Sequence, residues 1–504
     1  MHPNVLVVMA DQMKATASHL YGNRFCATPG MERLAARGTR FDTAITPQPL
    51  CVPARVALWS GAWPHASGAR RNETPMPPGV DHAFRVWKQA GFHTALIGKD
   101  HCFADPAEHA LFDVRCTIGH EGLPADGGAH GMPWVVPEDA VFAAHAVRRA
   151  MPRQGAAVSY AVSDVDPEAT SSGLVAAQTE AWLRERAAAA VAGDDRPFAA
   201  WISFPDPHTP YEVPRVWADT VPPDSVDLPP REAEDADLPE RTRVLLRLNG
   251  VDDVDEADLR ALIATYHAQV RFVDDGLRRV LEALDATGLA ERTLVVFCSD
   301  HGDFAGEHGM TRKGGAFYDC LVRVPLILAG PGVPAGAVED APVSLLDVVP
   351  TLLALQGLPV PASMQGRPLP TATDAAPREA AFAEYGAGGR SCTRADLDRA
   401  GLAGGLEAGH ATPRGREAEG RRKLVRTRRW AYATDPTADP VERDELYDLA
   451  ADPHQLRNVA ADPAHAATLA DLRARLFAWS LATEPAVPLP EPHLQTVSTK
   501  GSTS

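Results

Sequence analysis

Short apolar runs, each followed by turn residues and then by a helical pattern, recur from the start of the chain to about residue 370. This alternation is typical of α/β proteins. The runs that read as buried strands are residues 4–9, 94–97, 198–204, 293–298 and 324–328, which are too uniformly apolar to face water. Helices are predicted at residues 30–37, 53–60, 174–192, 256–286 and 345–356. The pattern predicts an α/β fold in which helices flank a buried sheet.

The pattern changes beyond about residue 375. Residues 380–385, 423–434 and 445–449 read as strands, and residues 464–482 read as one helix. We therefore expect a catalytic domain over residues 1–375 and a C-terminal subdomain over residues 376–504, made of a small antiparallel sheet, a helix and a tail. Residues 117–172 and 398–422 lack periodicity and are rich in Gly with Pro, His or mixed charge, which predicts loops or insertions.

Charge and composition exclude several kinds of partner. The chain has 49 Lys and Arg against 66 Asp and Glu, a net charge of −17, which disfavours nucleic acid and anionic membranes. The first residues lack a signal-peptide pattern, and no window reaches the ~18 consecutive apolar residues of a membrane helix. The seven cysteines are scattered without metal-binding or disulfide spacing. We expect a cytoplasmic protein with no nucleic-acid or membrane partner.

Polar and charged side chains follow four of the predicted strands. They are Asp11 and Gln12, Lys99 and His101, His208, and Asp300 and His301. Each one alone has an ordinary explanation, such as a helix cap, a surface lysine or a histidine bonded to the backbone. Ligands of open α/β sheets, however, bind at the carboxyl ends of the strands. We therefore expect these side chains to meet at one edge of the sheet.

Four of these residues have the composition of a divalent-metal site. Two carboxylates, one amide and one imidazole come from Asp11, Asp300, Gln12 and His301. Oxygen-rich ligand sets suit calcium, magnesium or manganese, and the imidazole makes manganese a real competitor. Because neighbouring residues of a strand point to opposite faces, both members of each pair can reach one ion only if the backbone turns there.

The most informative stretch begins at Cys51, with Pro53 two residues on, Arg55 four residues on and a small-residue turn at Gly61. It resembles the signature at which type I sulfatases have a cysteine oxidised to Cα-formylglycine. A hydrated aldehyde offers two geminal hydroxyls, one to attack an ester and one to expel the adduct. Taken alone, so short a motif can occur by chance, and Cys51 could be a small buried hydrophobe.

A second stretch strengthens the resemblance. Residues 298–309 followed by Lys313 look like the second signature of the sulfatase branch of the alkaline phosphatase superfamily, and further matches lie at residues 10–12, 98–101, 206–211 and 445–449. All occur in the family's order. The resemblance implies a large mixed, mostly parallel sheet flanked by helices, with the small C-terminal subdomain.

The resemblance also implies roles for particular residues. Asp11, Gln12, Asp300, His301 and the modified Cys51 would hold one divalent cation, with calcium as first choice and manganese or magnesium as alternatives. Arg55 would steady the formylglycine hydrate, Lys99 would bind a sulfate oxygen, and His101 would remove a proton from the second hydroxyl. His208 and Lys313 would neutralise the departing alkoxide, and Asn72 would be a further pocket donor. A formylglycine-generating enzyme would act during maturation, and a homo-oligomer is compatible.

Two departures from the common family pattern leave alternatives open. Many members have a second acid where this chain has Gln12, and an asparagine where it has His301. Both residues resemble the branch that contains choline sulfatases and phosphonate monoester hydrolases. The predicted function is therefore hydrolysis of a small anionic sulfate ester through a covalent intermediate, with a phosphonate monoester or phosphodiester hydrolase as the alternative. A catalytically inactive binding protein is less favoured, because Cys51, Arg55 and Lys313 are all present.

Overall fold

Buried apolar strands form the centre of the molecule in the computed structural model. The structure describes residues 2–124, 127–151, 159–232, 238–252, 254–373, 375–399, 420–438 and 443–484. Its strands are β1 (Asn4–Ala10), β2 (Gly38–Phe41), β3 (Ala44–Ile45), β4 (His93–Gly98), β5 (Val114–Thr117), β6 (Ala129–His130), β7 (Tyr160–Ser163), β8 (Phe198–Ser203), β9 (Tyr211–Pro214), β10 (Thr293–Ser299), β11 (Arg323–Val324), β12 (Leu326–Ala329), β13 (Ala337–Glu339), β14 (Val343–Ser344), β15 (Ala381–Gly388), β16 (Gly420–Arg426), β17 (Trp430–Thr434) and β18 (Asp444–Asp448).

Helices surround these strands. They are α1 (Pro29–Ala36), α2 (Cys51–Ser60), α3 (Pro64–Ser67), α4 (Ala83–Gln89), α5 (Pro106–His109), α6 (Glu138–Ala144), α7 (Ala146–Ala150), α8 (Ser171–Val191), α9 (Arg215–Ala218), α10 (Glu240–Asn249), α11 (Glu256–Ala286), α12 (Asp319–Val322), α13 (Val348–Leu355), α14 (Arg394–Arg399) and α15 (Ala466–Ala482). Of those described, none combines the length and apolar character needed to cross a bilayer.

The large sheet has nine strands in the order β13-β2-β12-β10-β1-β8-β4-β5-β6. Its central strands β10, β1, β8, β4 and β5 are parallel, whereas β12 and β6 run antiparallel to their neighbours. Alternate residues of β1 face two separate cores. Leu6 and Val8 pack in the core that contains α8 and α11, and Val5 and Val7 pack in the core that contains α2 and α13. The expected large, mostly parallel sheet between two helical layers is confirmed.

A second, smaller sheet follows the large one in the chain. Strands β15, β16, β17 and β18 form it in sequence order, and each pair is antiparallel. Helix α15 packs on it, with Leu476 and Trp479 against Val425 and Tyr432. The small antiparallel sheet with one helix is therefore confirmed. A division of the chain between residues 375 and 376 stays a prediction.

Most predicted elements occur within one to three residues of their expected bounds, and α11 has the expected bounds. The single strand predicted at 324–328 is wrong. Pro325, which has no N–H for a sheet hydrogen bond, separates β11 from β12, and these two strands belong to different sheets. The run 423–434 is likewise two strands, joined by a turn in which Thr427 N–H donates to the Trp430 carbonyl at 2.8 Å.

The predicted loop over residues 117–172 is also wrong in part. It contains the end of β5, strand β6, helices α6 and α7, strand β7 and the start of α8. These elements, the first turn of α8 apart, are at most seven residues long, too short for a hydrophobic period to stand out. The other predicted loop begins within α14 and ends within β16, while residues 400–419 lie outside the described residues.

Candidate active site

Five neighbouring parallel strands end at one edge of the large sheet, and each is followed by polar side chains. Asp300 and His301 follow β10, Asp11 and Gln12 follow β1, His208 comes after β8, Lys99 and His101 follow β4, and His120 comes after β5. The structure thus brings together the residues that the sequence placed at four strand ends, and it adds a fifth strand. A shared edge of this kind is where open α/β sheets bind ligands.

The backbone turns sharply at both acidic strand ends. Gln12 adopts a left-handed conformation with φ +69°, and its N–H donates to Asp300 Oδ1 at 3.0 Å. The His301 N–H donates to the same oxygen at 2.9 Å. At Gly302 a Cβ atom would lie 1.9 Å from the Cys320 carbonyl oxygen, so only glycine fits there. These turns allow both members of each pair to face one point.

Helix α2 presents Cys51 and Arg55 to the same point. Cys51 is the first residue of the helix and Arg55 lies one turn later, so the two side chains share a face. Every residue of α2 is buried. The helix N-terminus carries partial positive charge, which favours an anion at residue 51. Asn72 is exposed beside it, and its Oδ1 accepts the Val52 N–H at 3.1 Å.

Arg55 is fully buried and bridges the carboxylates of Asp11 and Asp300. Its Nε donates to Asp300 Oδ2 at 2.9 Å, and its Nη2 donates to Asp11 Oδ2 at 3.0 Å. Its Nη1 donates to Ser203 Oγ at 2.9 Å and to the Lys99 carbonyl at 3.0 Å. Burial alone would lower the pKa of Arg55, but the two carboxylates raise it above its usual value. The guanidinium therefore fixes the geometry of both acids.

A buried cluster of potential metal ligands lies next to this ion pair. Asp11, Cys51, Asp300 and His301 each offer one ligand atom, and these atoms all lie within 4.8 Å of one another. Cys51 Sγ is 3.8 Å from Asp11 Oδ1 and 3.2 Å from His301 Nε2. Two carboxylates and an imidazole, with the Gln12 amide close by, fit one divalent cation that prefers oxygen ligands.

Two lysines flank the Cys51 sulfur. Lys313 Nζ lies 2.9 Å from Cys51 Sγ and donates to Gln12 Oε1 at 3.0 Å. Lys99 Nζ lies 3.8 Å from the sulfur and donates to Asp11 Oδ2. Burial would raise the pKa of the Cys51 thiol, but Lys313, Lys99 and His301 hold it well below its usual value. The site is therefore built to stabilise negative charge at residue 51.

Two histidines, His208 and His101, lie beside the ligand cluster. The His208 Nδ1 donates to the Thr209 carbonyl at 2.6 Å, so its Nε2 accepts from Lys313 Nζ at 3.1 Å. Burial and Lys313 lower the pKa of His208 to about 4, which keeps the ring neutral at neutral pH. His101 interacts with the Cys51 side chain, and the charge of Lys99, together with burial, lowers its pKa.

Two residues of this site, His120 and Asp303, are not among those predicted from the sequence. His120 lies in the stretch predicted to be a loop, and the signal that could have found it is the short run at β5 that ends three residues earlier. Asp303 lies within the second signature, but no pattern in the chain predicts a role for it. The Gln12 amide donates to Asp303 Oδ2, and the Tyr211 hydroxyl donates to the same oxygen at 2.7 Å. Asp303 therefore fixes the amide so that Gln12 Oε1 faces Lys313.

Comparison with known proteins identifies the family. The sulfatase family model matches residues 3–358, which is more than half of the chain. The chain belongs to the sulfatase family. A sulfatase from Formosa agariphila is 30% identical to it over 377 residues, covering 71% of this chain and 69% of that protein. A choline-sulfatase from Rhizobium meliloti is 28% identical over 472 residues, covering 92% of this chain and 83% of that protein.

Solved structures agree with this assignment. The phosphonate monoester hydrolase of Agrobacterium radiobacter superposes with a TM-score of 0.72 at 26% identity, covering 95% of this sulfatase-family chain and 96% of that one. A protein solved in complex with its substrate D-glucosamine-2-N,6-O-disulfate has a TM-score of 0.72 at 19% identity, covering 96% and 98%, and shows the fold alone. The expected resemblance and the expected class, a hydrolase of the sulfatase family, are confirmed.

Proposed function

We propose that this sulfatase-family chain hydrolyses small anionic sulfate esters, using a formylglycine made from Cys51 and one divalent cation. One observation carries the proposal. Four buried ligand atoms lie within 4.8 Å of one another, and two lysine ammonium groups lie within 3.8 Å of the Cys51 sulfur, the atom that the oxygens of the formylglycine hydrate would replace. A cation, two ammonium groups and a helix N-terminus around residue 51 are suited to bind a tetrahedral anion whose central atom is attacked by a hydroxyl of residue 51.

Asp11, Gln12, Asp300, His301 and residue 51 would hold the divalent cation, which would make a hydroxyl more acidic and offset anionic oxygens. The formylglycine hydrate would provide that hydroxyl, which a thiol lacks. The oxygen-rich ligand set favours calcium, and the imidazole of His301 keeps manganese and then magnesium as alternatives.

Lys99, Arg55 and His101 serve the sulfuryl side of the reaction. Lys99 Nζ is close to both residue 51 and Asp11, where it can bind a sulfate oxygen while that oxygen gains charge. Arg55 steadies residue 51 indirectly, through the carboxylates that it holds. His101 interacts with residue 51, where a neutral imidazole can take the proton of the second hydroxyl. Asn72, beside Val52, is a further donor at the pocket entrance.

Lys313 and His208 serve the leaving group. Their Nζ and Nε2 atoms lie 3.1 Å apart, so a proton and a positive charge are available at one place. As its bond to sulfur breaks, the departing oxygen takes a proton from the Lys313 ammonium group, which neutralises the oxygen, and His208 Nε2 accepts from the same ammonium group and holds it in place.

A second function is favoured by Gln12 and His301 together with the similarity to a phosphonate monoester hydrolase. Phosphonate monoesters and phosphodiesters share tetrahedral geometry and anionic oxygens with sulfate esters. The same side chains could therefore hydrolyse them, and relative turnover decides between the two functions.

The test is a panel of esters assayed on protein co-expressed with a formylglycine-generating enzyme. Aryl sulfate, choline sulfate, a sugar 6-O-sulfate, an aryl phosphonate monoester and a phosphodiester are each assayed after chelation and addition of calcium, manganese or magnesium. We expect the highest kcat/KM for a sulfate ester. A higher value for the phosphonate would favour the second function, and no turnover of any ester would contradict both.

Matched cysteine variants provide the control for this panel. Cys51→Ala should abolish turnover, because it removes the group that becomes the nucleophile. Cys392→Ala removes another buried thiol, in the C-terminal part of the chain, and should keep wild-type turnover. Substantial activity in Cys51→Ala would contradict the proposed mechanism.

A further inference from the structure

His120 lies at the end of the fifth parallel strand, over the site but outside its ligand cluster. Two hydrogen bonds fix the loop that carries it. The Ile118 N–H donates to the Gly98 carbonyl at 3.0 Å, and the Ser171 hydroxyl donates to the Gly119 carbonyl at 2.7 Å. The loop is therefore tied both to β4, which ends next to Lys99, and to the first turn of α8.

The His120 ring contacts one residue on each side of the proposed reaction. Its Nε2 lies 2.9 Å from Lys99 Nζ, and its ring stacks on His208 with centroids 4.1 Å apart and planes 24° apart. Lys99 is on the sulfuryl side and His208 is on the leaving-group side. Among the described residues, His120 is therefore a direct bridge between these two groups.

The contact with Lys99 fixes the tautomer of His120. An ammonium group can only donate, so Nε2 accepts and the ring proton lies on Nδ1. That Nδ1 is shielded from solvent and has no hydrogen-bond partner among the described residues. Burial, with the charge of Lys99, lowers the pKa of His120 well below its usual value, which keeps the ring neutral. A buried donor without a partner is unfavourable for folding, and its presence is consistent with a functional use of this ring.

We propose that His120 is a positioning residue that orients Lys99 through its Nε2 and His208 through its stacked ring; this rests on the proposed ester hydrolysis. The two contacts have separable consequences. Losing the acceptor lets Lys99 turn fully to Asp11, which weakens substrate binding and raises KM. Losing the stack frees the His208 ring, so its Nε2 no longer holds the Lys313 ammonium group in place. Protonation of the leaving oxygen by Lys313 then slows, which matters most for esters of weakly acidic alcohols.

Three variants separate these consequences, each assayed with an aryl sulfate and an alkyl sulfate. His120→Ala removes both contacts and should lower kcat/KM for the alkyl ester by about 10-fold to 100-fold, the loss typical of one hydrogen bond to a charged group, with a smaller kcat effect on the aryl ester. His120→Gln restores an acceptor near the Nε2 position and should recover KM only. His120→Phe restores the stack and should recover only the alkyl-ester kcat.

The control is His130→Ala, which removes an exposed histidine of β6 and should leave both esters at wild-type rates. Equal kcat losses on the two esters in every His120 variant, or no loss in any of them, would overturn the inference. If His120→Ala does not fold, as judged by urea unfolding, the opposite rescues by Gln and Phe still decide. Wild-type protein without activity on any ester would instead overturn the proposed function, so the two failures are distinguishable.

Discussion

Replacing Arg55 by Met should destabilise the metal-free protein strongly, because Arg55 is the buried cation between Asp11 and Asp300. Both carboxylates and the guanidinium are fully buried, with hydrogen bonds of 2.9 and 3.0 Å. Removing one partner of a buried ion pair leaves uncompensated charge and costs about 3–5 kcal/mol. Met fills most of the space that the arginine side chain occupies. The loss of unfolding free energy therefore measures the uncompensated charge rather than a cavity. Lys99 also contacts Asp11, which places the expected loss toward the lower end of that range.

The assay is urea unfolding of chelator-treated protein, followed by tryptophan fluorescence, and then repeated with calcium. Calcium should stabilise Arg55→Met more than wild type, because the calcium ion offsets the two buried carboxylate charges that have lost their guanidinium partner. Arg184→Ala breaks an exposed helical ion pair with Glu180 and should change the free energy of unfolding by less than about 0.5 kcal/mol. A loss below about 1 kcal/mol in metal-free Arg55→Met would refute the claim that Arg55 holds the two acids. Arg55→Lys keeps the positive charge, so its free energy of unfolding should lie between those of Arg55→Met and the wild type.

Three further predictions address the metal, the leaving group and acid stability. Asp303→Leu should weaken metal binding about 10-fold to 100-fold in calorimetric titration, because it removes the oxygen that accepts from the Gln12 amide; unchanged affinity would contradict this role. Lys313→Ala should lower kcat on the order of 100-fold for an alkyl sulfate and less for an aryl sulfate, and a uniform loss would argue against leaving-group stabilisation. Burial lowers the pKa of His267 to about 3, so between about pH 6.5 and pH 3 only the unfolded chain is protonated there and the free energy of unfolding should fall as the pH is lowered. His267→Gln should make that slope about one proton shallower, and an unchanged slope would contradict the assignment.

Local pattern accounts for most of the fold. Long apolar strands such as β1 and β10 can be predicted from the sequence because every residue is buried and apolarity runs through them. Helix α11 can be predicted because its apolar stripe continues over 31 residues. Short elements are not readable in this way. Strand β7 has four residues and pairs with β9 in a two-stranded sheet, so its position depends on tertiary contacts rather than on its own sequence.

The site was predictable where chemistry follows a strand or a known spacing. Asp11 and Asp300 follow apolar runs, and the four-residue spacing of Cys51 and Arg55 is one helical turn. His120 was harder to predict, because the strand before it has only four residues and the sequence does not link it to His208. The contacts of Arg55 with both carboxylates were equally hidden, since they join residues 44 and 245 positions apart.

The proposed mechanism depends above all on the chemical state of residue 51. Peptide mass spectrometry of an active preparation measures it directly. We predict that the peptide containing Cys51 is about 18 Da lighter than its thiol form, and that this fraction rises in proportion to turnover when the formylglycine-generating enzyme is co-expressed. A fully active preparation in which residue 51 is entirely an unmodified cysteine would contradict the account.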